Sequence, residues 1–362
     1  MQGAAQTMAL GEFELIERIL RRPQDAQRDR VVLGGGDDCA LLQVRSGEQW
    51  AVSTDTLVEG RHFLSTVDPA ALGHKALAVN LSDLAACGAQ PRACTLNLTL
   101  PRADEAWLQA FARGFFGLAD AHGIVLAGGD TTGGPLNIAV TVLGTVPVGA
   151  ALLRSGAQPG DELWVSHPQE GGLGIGDARL ALEIFRGQAS LPPEGWEVVR
   201  RRMERPQPRV ALGLAVRGVA HAAIDLSDGL VGDLGHVLRA SGVGAQLWWQ
   251  ALPRSVWVAQ QSTLRQRECL LAGGDDYELL LSVPAAQRDQ LQKHAAQSGV
   301  QLSHIGRIVP GTGLAVFDDE AACLAGAAPW PMAALPQGFD HFRGESGTGR
   351  AHHAGVQGLS PI

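Results

Sequence analysis

The stretches VNLSDLAACGA, residues 79–89, and IDLSDGL, residues 224–230, carry one Leu-Ser-Asp triplet in two different settings. In the first, Leu72, Ala76, Leu77, Leu81, Leu84 and Ala85 recur at helical spacing between Pro69 and Gly88, while Asn80, Asp83 and Cys87 fall three and four residues apart on another face. A carboxylate in so apolar a helix is either paired with a basic neighbour, such as Lys75 or an Arg, or ligates a metal. In the second, AAIDLSD reads as a strand and GLVGDLGHVLRASG as the helix it feeds. Asp225 then ends a strand and Asp228 opens a helix, where the ordinary role is an N-cap. Together the two carboxylates can meet one ion, and Ser227 between them can touch a phosphate. Glycine-aspartate turns also recur, at 34–38 and 273–276, and these echoes suggest two related αβ halves.

Nine aspartates lie in apolar or glycine-rich surroundings: Asp37 and Asp38 in GGGDDCALL, Asp55 in VSTDTLVEG, Asp83, Asp130 in AGGDTTGG, Asp225, Asp228, and Asp275 and Asp276 in GGDDYELLL. Carboxylates beside buried chain must be neutralised, and so many point to several hard cations gripping an anionic ligand. Glycine next to aspartate bares backbone amides for phosphate oxygens while the carboxylate reaches a cation. A single turn of this kind is more simply an Asp capping its own amides. Three of them, with DLSD and STDT, argue for a site. His62, in EGRHF, is the histidine embedded beside the acidic set. Its plain reading is structural and its functional reading is ligand contact; His352 and His353, near the end of the chain, are set aside.

The remaining pattern alternates strand and helix. GEFELIERILRR carries Phe13, Ile16, Ile19 and Leu20 at helical spacing; DRVVLGGGDDCALLQV reads as two short strands around a glycine turn, and QWAVSTDTLV as a third strand. ACTLNLTLP is strand-like, DEAWLQAFARGFFGLADAHG helical with a glycine stop, and IVLAGGDTTGGPLNIAVTVLGTV strand, glycine turn, strand. A break falls near 148–160, after which strand, glycine-rich stretch (171–176) and the helix DARLALEIFRG begin the order again. That stretch is a candidate mobile segment. Leu191 to Pro208 is expected to be an exposed connector, VALGLAVRGVA a helix, and LLAGGDDYELLLSVP strand-turn-strand. The expected organisation is α/β (α+β) with two units, 1–150 and 151–343, each a mixed sheet with packed helices, followed by a disordered tail at 344–362.

Length, charge and composition narrow the functional classes. The 362 residues exceed the usual size of one core, and 45% hydrophobic content is ample for globular packing. A net charge of −8 gives no support to a nucleic-acid or anionic-membrane partner. Cys39, Cys87, Cys94, Cys269 and Cys323 include no CxxC pair, so reduced thiols and a cytoplasmic location are expected. No signal-peptide pattern stands at the N-terminus, and no run approaches the roughly 18 apolar residues of a membrane span. Neither lysine, Lys75 or Lys293, follows a glycine, so no phosphate-binding GxxxxGK[ST] loop exists, and GGLGIGDA lacks the βαβ setting of a dinucleotide loop.

Taken in order, GEFELI, GGDDCALL, STDTLVEGRHF, HKALAVNLSDLAACGA, GGDTTGG, LLRSGAQPGD, IDLSDGLVGDLGH, GGDDYELL and GFDHF closely resemble the thiamine-monophosphate kinase family, from about Gly11 to Phe342. That family is part of a wider ATP-binding group with aminoimidazole ribonucleotide synthetase. The resemblance implies the two-domain fold of that synthetase, a homodimer through the N-terminal domain, ATP and thiamine phosphate as substrates, and several Mg²⁺ ions. It further implies that Asp38, Ser53, Thr54, Asp55, Asp83, Asp130, Asp225 and Asp228 bind metal. Gly129, Asp130, Arg154 and Ser227 would then contact ATP, and His62, Asp275 and Phe339 the thiamine phosphate, with Phe339 or Trp330 as an aromatic wall. Asp275 stands where some members carry Glu. The acceptor phosphate is already ionised near neutral pH, so direct in-line transfer without a catalytic general base is expected. Two alternatives stand beside this reading. One is a relative using ATP on another substrate, although a selenophosphate synthetase would need a reactive cysteine, for which Cys39 is the candidate, and a hydrogenase maturation protein a C-terminal cysteine, where LSPI has none. The other is a noncatalytic nucleotide or thiamine-phosphate binding protein.

Overall fold

The computed structural model describes residues 16–22, 30–34, 39–168, 174–331 and 336. Two mixed sheets organise it. Strands β1 (Val31–Leu33) and β2 (Leu41–Leu42) form a small antiparallel ribbon. β3 (Glu48–Val58), β4 (Gln90–Leu100), β5 (Val125–Gly133) and β6 (Asn137–Pro147) make a four-stranded sheet in the order β3-β6-β4-β5, in which only β4 and β5 run parallel. β7 (Glu162–Pro168), β8 (Ala222–Asp225), β9 (Gly244–Trp248), β10 (Leu279–Val283), β11 (Val300–Val309) and β12 (Gly313–Phe317) make a six-stranded sheet in the order β12-β9-β11-β7-β10-β8.

The helix Pro69–Ala86 lies between the sheets, so it is here called the central helix. Asp68 caps its start by accepting the Ala71 N–H at 2.9 Å, Pro69 takes the first turn, and Gly88, at φ 66°, follows its end. Leu72, Leu77, Leu81 and Leu84 pack in one core with Leu96, Leu98, Ile138 and Val140 of the first sheet and with Ala223, Leu279 and Leu281 of the second. Strand alternation sends Leu163, Val165, Ile224 and Leu280 to the opposite face of the six-stranded sheet, where a second core gathers helices Asp177–Phe185 and Leu230–Ser241. The central helix therefore touches β3, β6 and β8 together, which decides where the polar residues on its flanks must act.

Three expectations are corrected. Leu191 to Pro208 is not an exposed connector: Pro193–Glu204 is a helix that buries Val199, Arg202 and Glu204. Residues 270–272 of LLAGGDDYELLLSVP end the helix Thr263–Ala272, so only its second half is strand. Asp130 lies inside β5, which continues to Gly133, and not in a turn. Of the N-terminal amphipathic pattern, Ile16–Leu20 forms one π-helical turn, and Phe13 lies outside the described residues. The expected tail and residues 171–173 of the glycine-rich stretch lie outside them as well.

Candidate active site

The central helix buries three polar side chains that its apolar stripe cannot accommodate unpaired: Lys75, Asn80 and Ser82. Asn80 Oδ1 accepts the Asp55 N–H at 3.0 Å, and its Nδ2 donates to the Ala76 carbonyl at 3.0 Å. Ser82 Oγ donates to Asp225 Oδ2 at 2.7 Å, and the adjacent Asp83 accepts Ser53 Oγ on Oδ2 at 2.5 Å. The Lys75 ammonium pairs with the Asp275 carboxylate, not with Asp83. One helix thereby reaches β3, the end of β8 and the turn before β10.

Five carboxylates, Asp55, Asp83, Asp225, Asp228 and Asp233, bear on one another's charge around it. Burial, then the charges of Asp83 and Asp228, push Asp55 up to about 6 from an ordinary 3.8. Burial and Asp83 push Asp225 up to about 7, against the opposing pull of the Ser82 hydroxyl and Arg154. Asp83 is raised by burial despite Ser53 and Arg154. Asp233 is pushed up to about 8 by burial and by Asp225 and Asp228, although it accepts the N–H groups of Asp228 and Gly229 at 3.1 and 3.0 Å. Arg154 is the cation felt at both Asp83 and Asp225, and it lines with them a cavity of about 210 Å³ bounded also by Cys87, Leu152 and Leu153. A site so rich in mutually repelling oxygens has a deficit of positive charge.

The pleat divides the other candidates. In the antiparallel register Asp55 faces Val140 and Val140 faces Leu96, which pairs with Gly129; the next row is Thr56, Ala139, Asn97 and Asp130. Ser53 and Asp55 point to the central helix, whereas Thr54 and Asp130 belong to the outer face, where Thr54 Oγ1 lies 2.8 Å from Thr141 Oγ1. The structure does not bring the Thr54 and Asp130 side chains to the carboxylate cluster. Gly129, at φ 148°, is required where it is, because a Cβ there would stand 1.9 Å from the Leu96 carbonyl oxygen. His62 turns back on its own loop, its Nδ1 accepting the Val58 N–H at 3.0 Å, so the proton of the neutral ring sits on Nε2. Ser227 accepts the Asp275 N–H on its carbonyl at 2.9 Å, joining the β8 end to the 273–276 turn. Asp38 and Phe339, like Asp37, lie outside the described residues.

Residues 36–146 match the model of the AIR synthase related protein, N-terminal domain, and residues 158–319 that of the AIR synthase related protein, C-terminal domain. The thiamine-monophosphate kinase of Salmonella typhimurium is 47% identical over 302 residues, covering 83% of this chain and 91% of that one. The chain belongs to the thiamine-monophosphate kinase family. The crystal structure of thiamine-monophosphate kinase from Stenotrophomonas maltophilia K279a superposes with a TM-score of 0.77 at 46% identity, over 84% of this chain and 96% of that one. AaThiL complexed with AMPPCP and TMP superposes with a TM-score of 0.69 at 26% identity, over 83% and 89%.

Within this thiamine-monophosphate kinase family member, the donor set suits a hard divalent cation: aspartate carboxylates and serine hydroxyls supply oxygen. Among the described residues no three carboxylate, imidazole or thiol groups converge tightly enough to hold an ion as they stand; Asp83 and Asp225 accept hydrogen bonds from Ser53 and Ser82. Asp276 has a different task, its two oxygens each accepting the Gly176 N–H at 2.9 Å. Trp330 stacks on the Arg267 guanidinium at 4.0 Å and hydrogen-bonds Asp318, beside edge strand β12 and five strands from Asp225. Sequence reasoning passed over Ser82, Asp233 and Tyr277. The repeated triplet was the signal for Ser82, since it sets Ser against Asp on the helix as Ser227 stands against Asp228 on the loop.

Proposed function

We propose that the chain transfers the γ-phosphoryl group of ATP to thiamine phosphate, giving thiamine diphosphate and ADP. The observation that carries this reading is the cluster of half-buried Asp55, Asp83 and Asp228 around buried Asp225, which joins strands from both sheets and is matched by too little positive charge of its own. Ser53, Asp55, Asp83, Asp225 and Asp228, with Asp38, are the residues that would hold magnesium, which when bound supplies positive charge to the phosphate oxygens of both substrates; Thr54 and Asp130, on the outer face of the sheet, are not part of that set. Arg154 adds a guanidinium at the cavity rim, and Gly129, Asp130 and Ser227 complete the ATP contacts. His62, Asp275 and Phe339 take the thiamine phosphate. The attacking oxygen belongs to a phosphate whose second proton leaves near pH 6, so the protein has only to orient it in line and offset repulsion, with no side chain needed as base.

The same reading divides the chain into units 1–150 and 151–343 and makes it a cytoplasmic homodimer. The outer face of the four-stranded sheet, which exposes Val52 at 60% and Val58 at 37%, supports the dimer, and five free thiols support the compartment. No helix among the described residues is long and apolar enough to cross a membrane. The test is incubation with ATP, Mg²⁺ and thiamine phosphate. Thiamine diphosphate and ADP are expected in equal amounts, and a burst of ADP without the acceptor would contradict direct transfer.

A further inference from the structure

Asp275 and Tyr277 are the two non-glycine residues with positive φ among the described residues, at 72° and 53°. Left-handed backbone is disfavoured for residues with a Cβ, and tyrosine gains nothing locally from it, so surrounding contacts must hold the turn in place. Three do. The Asp275 N–H donates to the Ser227 carbonyl at 2.9 Å and the Tyr277 N–H to the Leu226 carbonyl at 2.8 Å, tying the turn to the loop that carries Asp228. Gly274 sits against the same loop, where a Cβ would come within 2.2 Å of Ser227 O. The third is the Lys75 ammonium on the Asp275 carboxylate, made from another element 200 residues away in sequence.

Lys75 is 3% exposed, while the Asp275 side chain keeps 31%. The other lysine, Lys293, is exposed on the helix Arg288–Gln297, so Lys75 is the one buried lysine of the chain. A buried ammonium whose partner faces the open side of a turn leaves that partner fixed in direction and still reachable. Tyr277, the sole tyrosine, is 9% exposed and its N–H is held by the carbonyl of Leu226, the residue after Asp225, while the charges of Asp275, Asp55 and Asp225 all bear on its phenol. It thus stands between the Asp275 turn and the carboxylate cluster.

We infer that Lys75 is a positioning residue for the acceptor: it pins Asp275 across the two sheets so that this carboxylate meets thiamine phosphate in one orientation, with Tyr277 linking that contact to the cluster. The inference rests on the proposed reading of Asp275 as an acceptor contact. It requires an effect confined to one substrate, since a purely structural lysine would disturb both.

The experiment compares the full-length wild type with Lys75→Met, Asp275→Asn and the double variant. Lys75→Met should raise KM for thiamine phosphate about tenfold and leave KM for ATP within about twofold. The double variant, which buries no unpaired charge, should be no worse than the poorer single variant, because both changes remove one interaction. It also remains available should Lys75→Met fail to fold. A wild-type-like KM for thiamine phosphate in the double variant, or parallel rises in both KM values, overturns the inference. The lone tyrosine supplies a readout that needs no turnover. Its single isotope-labelled NMR resonance should move in Asp275→Asn without ligand, and in wild type on adding thiamine phosphate alone. A resonance indifferent to both overturns the link through Tyr277. Wild type that binds thiamine phosphate and shifts this resonance without forming product would instead count against the proposed activity.

Discussion

Ser82 and Asp225 meet at 2.7 Å across 143 residues of sequence, a hydroxyl from the central helix donating to a carboxylate at the end of β8. The contact makes the first Leu-Ser-Asp triplet a support for the second. Ser82→Ala should therefore leave Asp225 without its donor. A hydrogen bond to a charged group contributes about 1.5–3 kcal/mol, and its loss should raise the Asp225 carboxylate further. Metal-free urea unfolding at pH 8 should show a loss of that order. Titration of Mg²⁺ should show weaker binding, since a proton then competes more strongly for the same oxygens.

The raised carboxylates give the metal-free protein an unusual pH dependence. Asp55, Asp225 and Asp233, pushed up to about 6, 7 and 8, keep protons in the folded chain that the unfolded chain releases near 3.8. Stability from these groups is fully present below the unfolded value and is lost as pH rises through the folded ones. In EDTA, Tm should fall steadily between about pH 5 and pH 8, and saturating Mg²⁺ should flatten the curve by binding the ionised form. A metal-free Tm that climbs across this window would overturn the clustering of these charges.

Asp225→Asn separates stability from function at the same place. The amide keeps an oxygen for Ser82 and removes a charge that burial and Asp83 oppose. Thermal unfolding in EDTA at pH 8 should show a gain of about 1–3 kcal/mol, while turnover should drop about a hundredfold or more if, as proposed, this carboxylate helps hold the cation that offsets phosphate charge. Loss of both stability and activity would instead mark Asp225 as a structural carboxylate.

Much of this site was legible because each strand and helix period shows in the chain. STDT on a strand already implies that Ser53 and Asp55 share one face and Thr54 the other, yet the aspartate-rich motifs do not reveal which face meets the central helix. Register across β6 and β4 settles that, and it separates Asp130 from Asp55. The helix Pro193–Glu204 escaped because two of its four buried positions are charged and a third is glycine: Arg202 has no apolar signal, and its partner Glu278 lies 76 residues away. The run at 270–272 was misassigned because a short apolar stretch does not distinguish strand from buried helix. The Ser262 cap on the Arg265 N–H, at 3.3 Å, was the available cue.

Glu278 tests whether that hidden helix matters to the site. Its carboxylate is fully buried with Arg202, Arg209 and Ser166, and although burial alone would raise it, the Arg209 and Arg202 guanidiniums hold it below the ordinary 4.5. Its stability contribution is therefore present above pH 4.5 and lost as pH falls below it, opposite in sign to the raised aspartates. Glu278→Gln would strand two buried guanidiniums at the start of β10, one residue after Tyr277. Breaking a buried pair from one side costs about 3–5 kcal/mol, so denaturant unfolding at pH 7 should show a drop of that size. Acid unfolding should become shallower, since the group that titrates there is gone. Replacing Glu278, Arg202 and Arg209 together with apolar residues of similar volume should recover most of the loss, because the cost lies in the unpaired charges and not in the absence of the carboxylate itself.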